Sequence, residues 1–383
     1  MNLLSGIEQD FNRPQKSPGA YEWWHFDGQD DHSGYCFSAQ FYAGNPLSPY
    51  YQEALRRYLK DAQSPLVNPT VVTPPNPLDF CGVVFRVFKS GSLVNEFTQE
   101  FSPGQLKASE DHPAVLLGPN RFHWDASAEE PSYVVTLQGR VANNKTLRAR
   151  LFFTPEKTAA LPTESSETFP THTWILAAPR CRLEGTLQWC DTEGETLKEI
   201  LLSGSGYHDH HFGTIPLDRF LKSWHWGHAF LESKTLIYSY QKPQAADEKP
   251  KGLWMSLDKD EFKIWDVAFE PSQGRFNFFA LPYSKKLGFT DFDTFEIRHQ
   301  TILSDGPASL IFEDEVQWTR EGRLVKGRGI SNYLYPPRLS NPLFFPMLKG
   351  KTDWIAKPRQ VDGSGMSKDF DDVSTQRPDA PLK

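Results

Sequence analysis

Short stretches in which apolar and polar residues alternate recur along almost the whole chain, separated by clusters of glycine, proline, asparagine and aspartate. A period of two sends successive side chains to opposite faces of a strand, so the pattern predicts β-structure. The stretch at 21–27, YEWWHFD, sets Tyr21, Trp23, His25 and Asp27 on one face and Glu22, Trp24 and Phe26 on the other. Both faces carry aromatic rings, so both are expected to be buried. A turn-like segment at 28–33 leads to a second strand over 34–41 and completes a hairpin. Strands are then predicted over 81–89, 93–101, 121–125, 132–139, 146–154, 171–177 and 181–189. A second set covers 223–230, 235–241, 252–257, 262–269, 275–281, 292–302, 308–319 and 323–335.

The pattern breaks in a few places. Tyr51, Leu55, Tyr58 and Leu59 share one side of a short helix over 50–60, flanked by proline-rich segments. The excursion at 44–79 is expected to pack on the sheet, to cover a barrel mouth or to rest on a membrane. Residues 155–171 form a Ser/Thr/Pro loop. Strands do not alternate with long helices, which excludes a parallel α/β fold. The fold class is all-β, two antiparallel β-barrel or sandwich domains with a short helical insertion. The two strand sets open alike, with a paired-Trp strand, a short turn, and LIYSY at 236–240 against YCFSA at 35–39. The expected domains are 1–222, which holds the candidate site, and 223–345. The polar tail at 346–383 is expected to be disordered in part, over 358–383.

Composition sharpens the class. Of 383 residues 38% are hydrophobic and 23% charged, and 14% are aromatic, with 28 Phe and 11 Trp against 4 Met. That balance suits sheets with large apolar interiors better than helical bundles. The net charge is -7 without a basic block, so nucleic acid is not an expected partner. Cys36, Cys81, Cys181 and Cys190 lack CxxC spacing, the first residues lack the apolar run of a signal peptide, and no stretch approaches the ~20 apolar residues of a membrane span. A cytoplasmic location is expected, with peripheral membrane contact.

The densest chemistry lies at 203–213, SGSGYHDHHFG. Gly204, Gly206 and Gly213 suggest a turn framing Tyr207, His208, His210 and His211, with Asp209 as the single acid. A polar turn with a capping aspartate is the plainer reading. Asp209 with His208, His210, His211, His225 and His228 also suggests a metal set. Spacing opposes it: in a strand over 223–230, His225 and His228 point to opposite faces, and His210 and His211 diverge if extended. No metal is expected. Glu22 and Asp27, beside the WWHF core, are expected as structural carboxylates or as partners that orient a histidine of the turn.

The blocks YEWWHFDG at 21–28, THTW at 171–174, GSGYHDHHFG at 204–213 with SWHWGHAF at 223–230, and GRGISNYLYPPRL at 327–339 occur in order. Together they resemble the carotenoid 1,2-hydratase family, also called hydroxyneurosporene synthase, whose fold is a pair of lipocalin-like β-domains. The resemblance implies that Asp209 is the acid that protonates a terminal double bond, with Tyr207 and Trp174 as its companions. His210 and His211 depart from the hydratase pattern.

The implied chemistry is water addition to a hydrophobic isoprenoid substrate through a tertiary carbocation, without metal or organic cofactor. An alkene is a feeble base, so the donor must be a carboxyl kept protonated, here by burial among aromatic rings. The π-faces of Trp174 and Tyr207 would stabilise the cation, and His208 or His210 would take the proton of the attacking water. Trp23, Trp24, His25, Trp224 and Trp226 are the expected substrate contacts, against the plainer reading of core residues. Two further functions remain open. One is a cyclase, as in fungal relatives of this two-domain type that promote pericyclic ring closure; the other is a non-catalytic carrier of a hydrophobic ligand.

Overall fold

The structure is a computed structural model that describes residues 2–63, 73–157, 171–272, 274–290, 294–320 and 322–355. Residues 158–170 of the expected loop and the expected disordered end at 358–383 lie outside the described residues.

Two sheets carry the fold. Among the described residues the first has 13 strands, and its centre runs Tyr35–Ala43, Tyr21–Asp30, Thr196–Gly213, His172–Cys190 and Lys145–Pro155 as antiparallel neighbours. The sheet curls until Phe97 lies against Gly139, where an added Cβ would meet the ring at 2.4 Å. Phe26, Phe85, Phe97, Leu137, Leu147 and Phe153 fill the interior. The second sheet has nine strands among the described residues, all from 221–334, with Leu221–Leu231 between Lys234–Pro243 and Arg323–Leu334. Trp254, Phe295, Val316 and Trp318 fill one end of its interior. The sheets meet face to face: Trp23, Tyr42, Trp224 and Leu334 share one cluster, and Trp174, Tyr207, Ile237 and Met255 another.

The pattern of two predicted the strands well and failed at specific places. The strands expected over 171–177 and 181–189 are one element, His172–Cys190, whose register shifts on either side of Ala178. Pro179 falls in that irregular stretch; it has no N–H for the ladder, so a bulge absorbs it and the strand continues. The 275–281 strand shrinks to Gly274–Phe276, paired with Pro282–Ser284. Beyond the expected strands, Asn2–Ser5 pairs in parallel with residues 173–176, and Thr352–Ile355 returns from the expected tail to pair with residues 98–101. The helix is Pro49–Ala62, capped by the Ser48 hydroxyl. It packs on the protein through Tyr51 and Leu55, with the Tyr51 ring on Phe80 and its O–H donated to the Ala20 carbonyl at 2.9 Å.

Candidate active site

Residues 203–213 are not a turn. They end the long strand Thr196–Gly213, hydrogen-bonded on both edges, and Gly204, Gly206 and Gly213 lack the positive φ of turn glycines. The glycines serve close approach instead: a Cβ on Gly204 would stand 2.1 Å from the Gln29 carbonyl oxygen. An extended backbone then sorts the motif by parity. Tyr207, Asp209 and His211 face the second sheet, whereas His208 and His210 face the interior of the first.

Asp209 lies at the centre of the inter-sheet face and is fully buried. Its Oδ2 accepts from the Trp174 indole N–H and from the Tyr207 hydroxyl, each at 2.8 Å. His211 Nε2 stands 3.2 Å from the same oxygen, close but not aligned as a full hydrogen bond. Asp209 Oδ1 has no hydrogen-bond partner among the described residues. Behind His211 the contacts continue: His172 Nε2 lies 3.2 Å from His211 Nδ1, and the Tyr21 hydroxyl lies 2.8 Å from His172 Nδ1. One assignment satisfies the whole chain with neutral rings: Tyr21 donates to His172, His172 to His211, and His211 points its proton at Asp209.

This geometry overturns the expectation of a carboxyl kept protonated by burial. Burial does push the Asp209 pKa up, but its interaction with His211, the charge of His25 and the Tyr207 hydroxyl outweigh it and hold the group below the ordinary carboxylate range. Burial lowers His211 below a free imidazole against the opposing pull of Asp209, and burial followed by His211 lowers His172 further. The expected cation–π roles change as well. Trp174 and Tyr207 give the carboxylate their polar hydrogens, while Trp174 stacks on His211 with centroids 5.4 Å apart and Tyr207 stacks on His228 at 4.1 Å.

Across the ladder from Asp209 is His25. Its Nε2 meets Asp27 Oδ2 at 2.9 Å and its Nδ1 meets the Gln40 amide at 2.8 Å. Burial alone would lower its pKa, but the Asp27 hydrogen bond and charge win and raise it. His228, from the second sheet, places Nε2 3.3 Å from Asp27 Oδ1. Asp27 therefore orients His25 by a hydrogen bond and has the ring of His228, from the other sheet, close by without one.

The expected bases His208 and His210 do not reach this face. His208 Nε2 contacts Asp10 Oδ2 at 2.8 Å, and His210 lies between Asp10 Oδ1 at 3.1 Å and Glu22 Oε1 at 2.9 Å. They tie the N-terminal segment into the first barrel. Parity, the rule that divides them from Asp209, was available from the sequence once the segment was taken as a strand. Parity also divides His225 from His228, and among the described residues no three His, Cys, Asp or Glu side chains converge as metal ligands would.

A pocket between the sheets opens above this centre, lined by Trp23, His25, Gln40, Tyr42, Trp226 and Tyr333 among others. Of the expected substrate contacts, Trp23, His25 and Trp226 line it. Trp24 instead stacks on His210 inside the first barrel, and Trp224 is fully buried with its N–H on Ser239. The free space is about 50 Å³, well under the ~300 Å³ at which small-molecule sites begin. Asp209 is fully buried and does not line the pocket; its ladder neighbour His25 does, as does Trp23, which stacks on His211 at 4.7 Å. Sequence reasoning missed His172, Tyr21, Gln40 and the pairing of His228 with Asp27. His172 carried a signal, since it is two residues from Trp174 and so on the same face.

Fold and site together define a lipocalin-like enzyme whose polar centre lies between two curled antiparallel sheets. The chain belongs to the carotenoid hydratase CrtC family, a family of hydro-lyases, whose model matches residues 42–266. It is 27% identical over 356 residues to the hydroxyneurosporene dehydrogenase of Chlorobaculum tepidum, covering 90% of each chain. It is also 27% identical over 227 residues to the acyclic carotenoid 1,2-hydratase of Thiocapsa roseopersicina, covering 58% of this chain and 47% of that one. Among solved structures the kievitone hydratase of Nectria haematococca superposes with a TM-score of 0.53 at 12% identity, covering 87% of this chain and 95% of that one. This last likeness concerns the fold.

Proposed function

We propose that this protein adds water across a terminal carbon–carbon double bond of an acyclic, carotenoid-like isoprenoid, and that Asp209 delivers the proton. The observation that carries the reading is the asymmetry of Asp209, with two donors on Oδ2, His211 beside it and no hydrogen-bond partner on Oδ1 among the described residues. Oδ1 is the oxygen left to carry a proton for the substrate. As the alkene takes it, the O–H bond breaks, a C–H bond forms and a tertiary cation develops at the neighbouring carbon. The carboxylate left behind is the form that Trp174, Tyr207 and His211 stabilise, which makes the protonated group a strong acid. Trp23 and Trp226 supply aromatic surface near the cation. Water bonds to the cationic carbon and its proton returns to Asp209, so alkene and water balance the tertiary alcohol. The chemistry as written uses only side chains of this chain.

Bringing a double bond to Asp209 requires the side chains of Trp23, His25 and Trp226 to part, because the pocket is closed above the acid. Residues 1–222 and 223–345 serve as the two units that close on it. The substrate is lipid-soluble, and Phe276, Phe278 and Leu343 are 71%, 88% and 82% exposed; these side chains are proposed to rest on a bilayer. Asp209→Asn keeps the size and polarity of the side chain and removes the acid. Assayed with an acyclic carotenoid, it should bind substrate and form no tertiary alcohol, whereas turnover at the parent rate would end the proposal.

A further inference from the structure

The second sheet encloses a cavity of its own, on the opposite side of Leu221–Leu231 from Asp209. Parity sends Trp224, Trp226 and His228 of that strand toward the first sheet and His225 into the second barrel, where it lines a cavity of about 480 Å³. That volume lies within the range of small-molecule sites. One end of the barrel is sealed by the apolar cluster around Trp254 and Trp318. Toward the cavity the interior turns polar. His299 Nδ1 meets Asp314 Oδ1 at 2.6 Å, and the Tyr238 hydroxyl donates to Asp314 Oδ2 at 2.9 Å. His225 Nε2 lies 3.1 Å from Ser331 Oγ, with its ring 4.8 Å from that of His299.

Packing alone does not explain this cluster. A buried carboxylate with two imidazoles costs more than apolar residues of the same volume would, and here it stands beside open space with both histidines on the cavity wall. Asp314 fixes His299 so that Nε2 is the nitrogen left for a ligand. Phe312 stacks on the His299 ring at 3.9 Å, and Tyr240 and Tyr283 extend the aromatic wall. Lys222 and Lys242 also line the cavity, and neither has a carboxylate partner among the described residues. They are near enough that Lys222, after burial, contributes to lowering the Lys242 pKa. Two neighbouring ammonium groups without a counter-ion are an anion site.

We propose that the second barrel is a separate binding site for a small aromatic carboxylate, with its ring between Tyr240 and Phe312 and its carboxylate on Lys222 and Lys242. A hydroxyl or carbonyl at the far end of such a ligand meets His225 and His299. The site goes beyond the hydration reading, since of the side chains that line it only Tyr333 also lines the pocket beside the Asp209 centre.

Isothermal titration of the full chain with 2-naphthoate tests it, with neutral 2-naphthalenemethanol as the uncharged companion. The expected result is saturable naphthoate binding at one site per chain. Lys222→Ala with Lys242→Ala should weaken it by about tenfold or more while leaving the alcohol unchanged. Hydratase turnover should be the same in the double variant and the parent, which separates this test from that of Asp209. Absence of saturable binding, equal naphthoate affinity in parent and variant, or loss of turnover with the lysines would each overturn the proposal.

Discussion

Asp209 is defined by what touches one of its oxygens. Trp174 and Tyr207 both donate to Oδ2, so Trp174 acts here through its N–H more than through its ring. Trp174→Phe keeps an aromatic ring and deletes the donor. A hydrogen bond to a charged group contributes about 1.5–3 kcal/mol, so losing it should raise the Asp209 pKa, read from the carboxyl carbon chemical shift against pH; the protonated fraction at neutrality then grows as the acid weakens, and kcat at neutral pH should change by less than about tenfold. An unchanged Asp209 titration would return Trp174 to a packing role. The depressed pKa of Asp209 also fixes the pH profile. The acid is the minority form at neutrality, so each unit of acidification raises its population about tenfold, and log kcat/KM should fall with a slope of about -1 as pH rises from about 5 to 8. A plateau across that range would mean a raised pKa. The sequence made the acid, the tyrosine and the tryptophan legible as neighbours, but their protonation depends on His211 and His25, whose approach to Asp209 only the folded sheets create.

At the scale of the element, the strand Thr196–Gly213 serves both faces. Its outer face makes the candidate site, and its inner face anchors Asp10 through His208 and His210, with Tyr133 donating to the same carboxylate at 2.8 Å. Burial pushes the Asp10 pKa up, but His208 and then His210 bring it down to about 2. Burial would lower His210, but Asp10 and Glu22 raise it. Stability from Asp10 is therefore present above its unfolded pKa of about 4 and lost as pH falls toward about 2. That from His210 is present below about 6.5 and lost as pH rises through its raised value. Urea unfolding should give the network its largest contribution between these limits. Asp10→Ala, by stranding two buried imidazoles, should cost about 3–5 kcal/mol there; a loss under about 1 kcal/mol would show that the network is not a structural anchor. The strand was mistaken for a turn because three glycines and a run of polar residues imitate one. A central strand buried on both faces by polar networks lacks the alternation of apolar and polar residues that marks an ordinary strand, though its parity still holds.

At the scale of the molecule, the two sheets close over Asp209 and leave little room above it. Most strands were legible because alternation is local. The pieces that were not legible, such as Asn2–Ser5 and Thr352–Ile355, are short and take their order from distant partners. Among the described residues no helix is long and apolar enough to cross a bilayer, and the helix Pro49–Ala62 turns Tyr51 and Leu55 to the protein. The membrane contact proposed above falls on the exposed Phe276, Phe278 and Leu343. Replacing all three with serine should abolish flotation with liposomes, and unchanged flotation would assign the contact elsewhere.

The central claim, that Asp209 gives a proton to carbon, is tested most directly by running the hydration of an acyclic carotenoid in deuterated water and reading the product by mass spectrometry and NMR. The parent protein should place one deuterium on the carbon next to the new carbinol, and Asp209→Asn should yield no labelled alcohol. An alcohol without deuterium at that carbon, or labelled alcohol formed by Asp209→Asn at the parent rate, would contradict the account.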